Sequence, residues 1–106
     1  MKYYYREHVA GYERVKAEGK LAWHTIHDGK PFDDFCSRAF LEYALPRLQL
    51  AEARPRALEI GCGTGVGACF LAQRGFRVDA IDIIPAAIEI ARKVAAERHL
   101  DINYQV

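Results

Sequence analysis

The stretch that decides the fold is Arg56-Ala-Leu-Glu-Ile-Gly-Cys-Gly-Thr-Gly-Val-Gly67. An apolar run carrying one acid, Glu59, passes directly into a turn with glycine at 61, 63, 65 and 67. Glycine has no Cβ, so it accepts positive φ and lets a ligand come close to the backbone. After the turn, Ala68-Cys-Phe-Leu-Ala-Gln-Arg74 reads as a helix that Gly75 stops. Strand, tight turn and helix in this order open a nucleotide-binding β-α-β unit. The helix N-terminus presents free N–H groups to whatever lies in the turn.

Downstream, Arg77 to Asp82 is predicted as a second strand, with Val78 and Ala80 alternating with Asp79 and Asp82. Pro85 suits the first turn of a second helix. Ala87, Ile90, Ala91, Val94 and Ala95 form its buried stripe. Glu89 and Lys93 stand four apart and are expected to pair. Ile84 occupies the place of a capping side chain, a loss of about 1 kcal/mol. Arg98 to Asp101 is a turn, and Ile102 to Val106 alternates as a third strand.

Upstream, Lys2 to Glu18 is predicted as a helix stopped by Gly19, with Tyr5, Val9, Tyr12 and Val15-Lys16 near one face. It either docks on the core through its tyrosines or covers a ligand as a movable lid. Leu21 to Pro31 reads as a loop, with turn signals at Asp28-Gly29 and Lys30-Pro31. His24 and His27 are rejected as metal ligands because no third ligand accompanies them. Trp23 either faces a ligand cleft together with His24 or is anchored in the core. Phe32 to Leu50 reads as a helix, capped by Asp33 or Asp34, with Phe35, Ala39, Phe40 and Tyr43 at helical spacing. Pro46 is expected to kink or end it. Ala51 to Pro55 is the linker to the first strand.

Composition bounds the function. At 106 residues the chain holds one domain at most. Hydrophobic residues make up 51%, enough for a packed core, and no apolar run reaches the length of a membrane span. The N-terminus has no apolar region of the signal-peptide kind. A net charge of +1 carries no electrostatic footprint for nucleic acid. Cys36, Cys62 and Cys69 are odd in number and lack metal-site spacing, so they are read as reduced thiols of a cytoplasmic protein.

Glu59-Ile-Gly-Cys-Gly-Thr-Gly65 resembles the first motif of class I S-adenosylmethionine-dependent methyltransferases, an acid-x-Gly-x-Gly-x-Gly pattern. The resemblance continues through Asp82-Ile-Ile-Pro-Ala-Ala-Ile-Glu-Ile-Ala-Arg92, similar to the family's second strand end and following helix, although Ile84 stands where the family often has Ser or Thr. It covers the second half of the chain. It implies an α/β fold with a Rossmann-like parallel sheet, of which this chain supplies strands 1 to 3 behind an N-terminal helical segment. Residues 1–50 would form that segment, a cap on the substrate side. Residues 51–106 would form the first half of the cofactor-binding domain, incomplete at its C-terminus.

The same resemblance implies S-adenosyl-L-methionine as cofactor, held by Glu59, Gly61, Cys62, Gly63, Gly65, Asp82 and Ile83. Glu59 would lie near the cofactor's amino group and the glycine turn under its methionine part. Asp82 would accept bonds from the ribose hydroxyls, facing solvent when the site is empty, and Ile83 would lie against the adenine. No catalytic residue can be named; Tyr4, His24 and His27 are candidates by location alone.

Two other readings stand beside this one. Gly63-Thr-Gly-Val-Gly-Ala68 also matches the Gly-x-Gly-x-x-Ala pattern of NAD(P)-binding proteins. Glu59 argues against it, because a carboxylate beside the turn favours a cationic sulfonium and ammonium and repels a pyrophosphate. The chain's length also allows a non-catalytic half-methyltransferase module. The expected partner is a small-molecule methyl acceptor, with neither a membrane nor a nucleic acid. The resemblance implies a sheet beginning 3-2-1-4, in which strand 1 without strand 4 has an unpaired edge; the expectation is either a longer chain whose remainder completes the sheet or pairing of that edge with another copy.

Overall fold

The structure, a computed structural model, describes residues 2–20 and 39–106. In chain order its elements are α1 (Lys2–Ala17), a π-helical turn (Phe40–Ala44) running into α2 (Leu45–Arg47), β1 (Arg56–Ile60), α3 (Val66–Gln73), β2 (Arg77–Ile81), α4 (Pro85–Glu97) and β3 (Ile102–Gln105). The expectations for the Leu21–Pro31 loop, for Trp23, His24 and His27, and for the start of the Phe32 helix with Cys36 lie outside the described residues.

The strands form one parallel sheet in the order β1-β2-β3. Arg56 pairs with Arg77 and Ile60 with Ile81, while Val78 pairs with Ile102 and Ile81 with Gln105. Both crossovers step in the same direction, and parallel crossovers share one hand, so α3 and α4 fall on the same face. Their apolar stripes bury Ala68, Ile88, Ala91 and Ala95 against Val78, Ala80 and Tyr104. Phe40 joins this core, its ring edge-on to Phe70 at 6.1 Å and to Phe76 at 5.9 Å. The helical segment and the sheet therefore share apolar packing.

β1 directs apolar side chains to both faces of the sheet, Ala57 to one and Leu58 and Ile60 to the other. Ala57 is half-buried, but Leu58 is 62% and Ile60 76% exposed. Among the described residues no helix covers that face, where Asn103 donates to the Asp79 carboxylate at 2.7 Å.

Caps fix the helix ends. Past α4, Leu100 N–H donates to Ala95 C=O at 2.9 Å and His99 N–H to Ala96 C=O at 3.1 Å. This Schellman pattern uses a left-handed residue, here His99 at φ 55°. The helix at Pro46 is not ended by the proline itself. A wide π turn precedes it, Leu45 N–H donating to Phe40 C=O, and the chain turns extended only at Leu48.

Three side chains depart from the sequence reading. Tyr5 and Tyr43 are exposed rather than packed. Glu89 pairs with Lys16 of α1 rather than with Lys93, because α1 lies along α4. No described helix is long and apolar enough to cross a membrane.

Candidate functional site

The glycine turn sits at the carboxyl ends of β1 and β2. Gly61 and Cys62 both donate their N–H to Ile81 C=O, at 2.8 and 3.0 Å, which ties the end of one strand to the end of the next. Gly65 N–H closes the turn on Cys62 C=O at 3.0 Å, and Gly65 C=O takes the first helical bond, from Cys69 N–H at 2.9 Å. Gly63 and Gly65 have φ of 56° and 83°, conformations that a side chain strains. The space is also taken. A Cβ on Gly65 would collide with the Tyr104 hydroxyl, and one on Gly63 would lie 2.7 Å from the Tyr12 hydroxyl.

Asp82 follows β2 and faces this turn. Its Oδ2 accepts Gly63 N–H at 2.8 Å and its Oδ1 accepts Ile84 N–H at 2.9 Å. Asp82 is half-exposed, and beyond the solvent-facing position expected of it both oxygens hold backbone. An ionised carboxylate has about four lone-pair sites, so it can still accept from a ligand's hydroxyls. The Oδ1 bond also orders the start of α4, where Ile84 provides no side-chain cap. Ile83, beside Asp82, is 64% exposed.

Glu59 takes the helix side of the sheet and reaches the first turn of α3. A Cβ on Gly67 would lie 2.6 Å from its Oε1. Its Oε2 is buried and has no hydrogen-bond partner among the described residues. Burial pushes this carboxyl above the usual glutamate range, and the Ala68 N–H works against that shift.

Cys62 turns its side chain into the core. Burial, with the Glu59 and Asp82 carboxylates adding, pushes its thiol up to about 12, so it stays protonated at neutral pH. Only its backbone is placed to meet a ligand in the turn.

Two tyrosines at this site were not singled out from the sequence. Tyr12 was read as one of several packing residues on α1; the structure sets its hydroxyl against Gly63. Burial raises its phenol pKa, with Asp82 and then Cys62 adding. Tyr104, on β3, is buried beneath Gly65 with its hydroxyl 3.9 Å from Cys69 Sγ. Helical spacing put Tyr12 on a face with Val9 and Val15, but no local signal names what that face meets. Tyr4 is exposed, and His24 and His27 lie outside the described residues.

A strand, a turn built of left-handed glycines, a helix, and an acid after the adjoining strand define a Rossmann-like nucleotide-binding unit. Comparison with known proteins narrows the class. A family model described as a methyltransferase domain matches residues 57–106. A ubiquinone biosynthesis O-methyltransferase of Methylocella silvestris is 38% identical over 114 aligned positions, covering 94% of this chain and 43% of the relative. A solved structure concerning the conversion of a disulfide bond into a thioacetal group during echinomycin biosynthesis is 31% identical with a TM-score of 0.56, covering 73% of this chain and 32% of that one. The fold alone is shared with Haemonchus contortus phosphoethanolamine N-methyltransferase 1, 20% identical with a TM-score of 0.58 over 95% of this chain and 21% of that one. The chain thus spans less than half the length of the curated relative it matches. Residues 57–106 match a methyltransferase domain, in keeping with the class I S-adenosylmethionine-dependent methyltransferase family.

Proposed function

We propose that this chain is the cofactor-binding portion of an S-adenosylmethionine-dependent methyltransferase acting on a small molecule. The observation that carries the reading is the Asp82 carboxylate bonded to Gly63 across the turn, at the carboxyl ends of two adjacent parallel strands. S-adenosylmethionine supplies a sulfonium methyl group, an electrophile that needs no further activation.

The residues present fit that cofactor. Glu59 is buried beside the turn with one carboxylate oxygen unpartnered among the described residues, and its charge favours a cationic ligand. It also matches the positive end of α3, which a pyrophosphate would otherwise use, so the dinucleotide reading loses its anchor. In this assignment Asp82 holds the ribose hydroxyls and Ile83 offers an apolar surface to the adenine. Gly61, Cys62, Gly63 and Gly65 let the methionine part lie on bare backbone, with Glu59 toward its amino end.

Residues 1–50 then serve as the cap on the substrate side, and 51–106 as the first half of the cofactor domain. The relative's name, an O-methyltransferase, supports an oxygen atom as acceptor. The free thiols of Cys62 and Cys69 suit a cytoplasmic location.

Calorimetric titration of the full-length gene product with S-adenosylhomocysteine and, separately, with NAD tests the reading. Binding of the first without the second is expected; NAD binding alone would overturn it. Transfer of label from S-adenosylmethionine to phenolic small molecules then separates the enzyme from a non-catalytic module, which would bind without transferring.

A further inference from the structure

Tyr104 stands on β3, two strands away from the strand that feeds the glycine turn, yet its hydroxyl ends beneath that turn. The residue is buried in the core between the sheet and the helices, with Ala80, Ile88 and Ala91. It is held at both ends. Its backbone pairs in register with Ala80 of β2, and its C=O accepts Arg92 Nη2 of α4 at 2.7 Å. At the other end its hydroxyl lies 3.9 Å from Cys69 Sγ.

The place it reaches is the first hydrogen bond of α3, given by Cys69 N–H to Gly65 C=O. The hydroxyl lies against both partners of that bond, the Cα of Gly65 and the thiol of Cys69. Gly65 also closes the turn through its N–H to Cys62 C=O. The hydroxyl therefore limits how far the turn can settle toward the core.

Stability alone does not call for this hydroxyl. A buried hydroxyl costs free energy unless it is well hydrogen-bonded, and a thiol 3.9 Å away is a weak partner. Burial, with Cys69 adding, raises the phenol pKa, so the group stays neutral. Phenylalanine would fill the same ring space without that cost.

We propose that Tyr104 is a positioning residue for the cofactor, its hydroxyl propping Gly65 from beneath and so holding the turn backbone at the level where the methionine part lies. Tyr104 itself touches no ligand. The inference rests on the methyltransferase reading above.

Tyr104→Phe, Gly65→Ala and the double variant, each in the full-length protein, test it. Two quantities are measured: affinity for S-adenosylhomocysteine by calorimetry, and the unfolding midpoint without ligand. Tyr104→Phe should bind about three- to tenfold more weakly, the scale of one hydrogen bond to the ligand, at an unchanged or raised midpoint. Unchanged or tighter binding overturns the proposal. Weaker binding with a lowered midpoint also overturns it, in favour of a residue that only holds the fold. Gly65→Ala should lower the midpoint, and adding Tyr104→Phe should restore part of it, because the hydroxyl is the nearest atom a Cβ meets there among the described residues. If Gly65→Ala does not fold, a folded double variant reports the same contact. No restoration removes the contact on which the proposal stands. If the unaltered protein fails to bind S-adenosylhomocysteine, the methyltransferase reading itself falls.

Discussion

Asp82 accepts the backbone N–H of Gly63 at 2.8 Å, across nineteen positions of sequence, and so ties the end of β2 to the turn that follows β1. Its second oxygen holds Ile84 N–H at the entrance to α4. The residue assigned to the ribose is thus also a strut of the fold.

Asp82→Asn should therefore affect both roles. Asparagine keeps one acceptor oxygen, and its NH2 group faces a backbone donor where the other oxygen was. We expect unfolding free energy to fall by about 1–3 kcal/mol in urea denaturation of the full-length protein. Affinity for S-adenosylhomocysteine should fall by a similar amount, about 1–3 kcal/mol. An unchanged urea midpoint would show that the two backbone bonds contribute nothing.

The turn and the helix end differ in how much room they leave. Gly65 and Gly75 both have strongly positive φ, 83° and 90°. Around Gly75 a Cβ meets nothing within 4 Å, whereas at Gly65 it meets Tyr104 and, at 3.3 Å, Ala91 Cβ. Gly75→Ala should cost only the backbone term, about 1–2 kcal/mol. Gly65→Ala adds a collision with a buried ring and should cost about 3 kcal/mol or more. Equal losses in a paired denaturation experiment would refute the packing of Tyr104 under the turn.

Glu59 predicts a pH signature. Its folded pKa is raised above the ordinary 4.5 by burial, so the folded protein binds this proton more tightly than the unfolded chain. Stability contributed at this site is full below 4.5 and is lost as pH rises through the raised value. Glu59→Gln carries no such charge. Its unfolding midpoint should exceed that of the unaltered protein at neutral pH, and the gap should close toward pH 4, once the wild-type carboxyl is protonated as well. The same variant should bind S-adenosylhomocysteine more weakly. A gap that does not change with pH would remove the buried charge from the account.

The outer edge of β1 pairs with no strand among the described residues, and Leu58 and Ile60 stand exposed beside it. A polypeptide of these 106 residues is expected to self-associate through that edge in sedimentation experiments. Ile60→Lys should shift it toward monomer by placing a charge on the apolar face. Monomeric behaviour of the unaltered polypeptide at high concentration would contradict the expectation.

The sequence by itself determined the elements from Arg56 onward: an apolar run passing into the glycine turn marked β1, alternation marked β2 and β3, and Pro85 and Gly75 marked helix ends. It also placed an acid after β2 beside the glycine turn. These signals are local, because helical and strand periods and caps depend on residues a few positions apart. Only the tertiary structure decided which surfaces meet. The shared hand of two successive crossovers put both helices on one face and left Leu58 and Ile60 outside. The seating of α1 on α4 gave Glu89 to Lys16 and brought Tyr12 to Gly63. The turn of β1 into α3 carried Glu59 beneath the helix start. Each of these joins segments distant in sequence, where packing geometry rather than residue spacing chooses the neighbour.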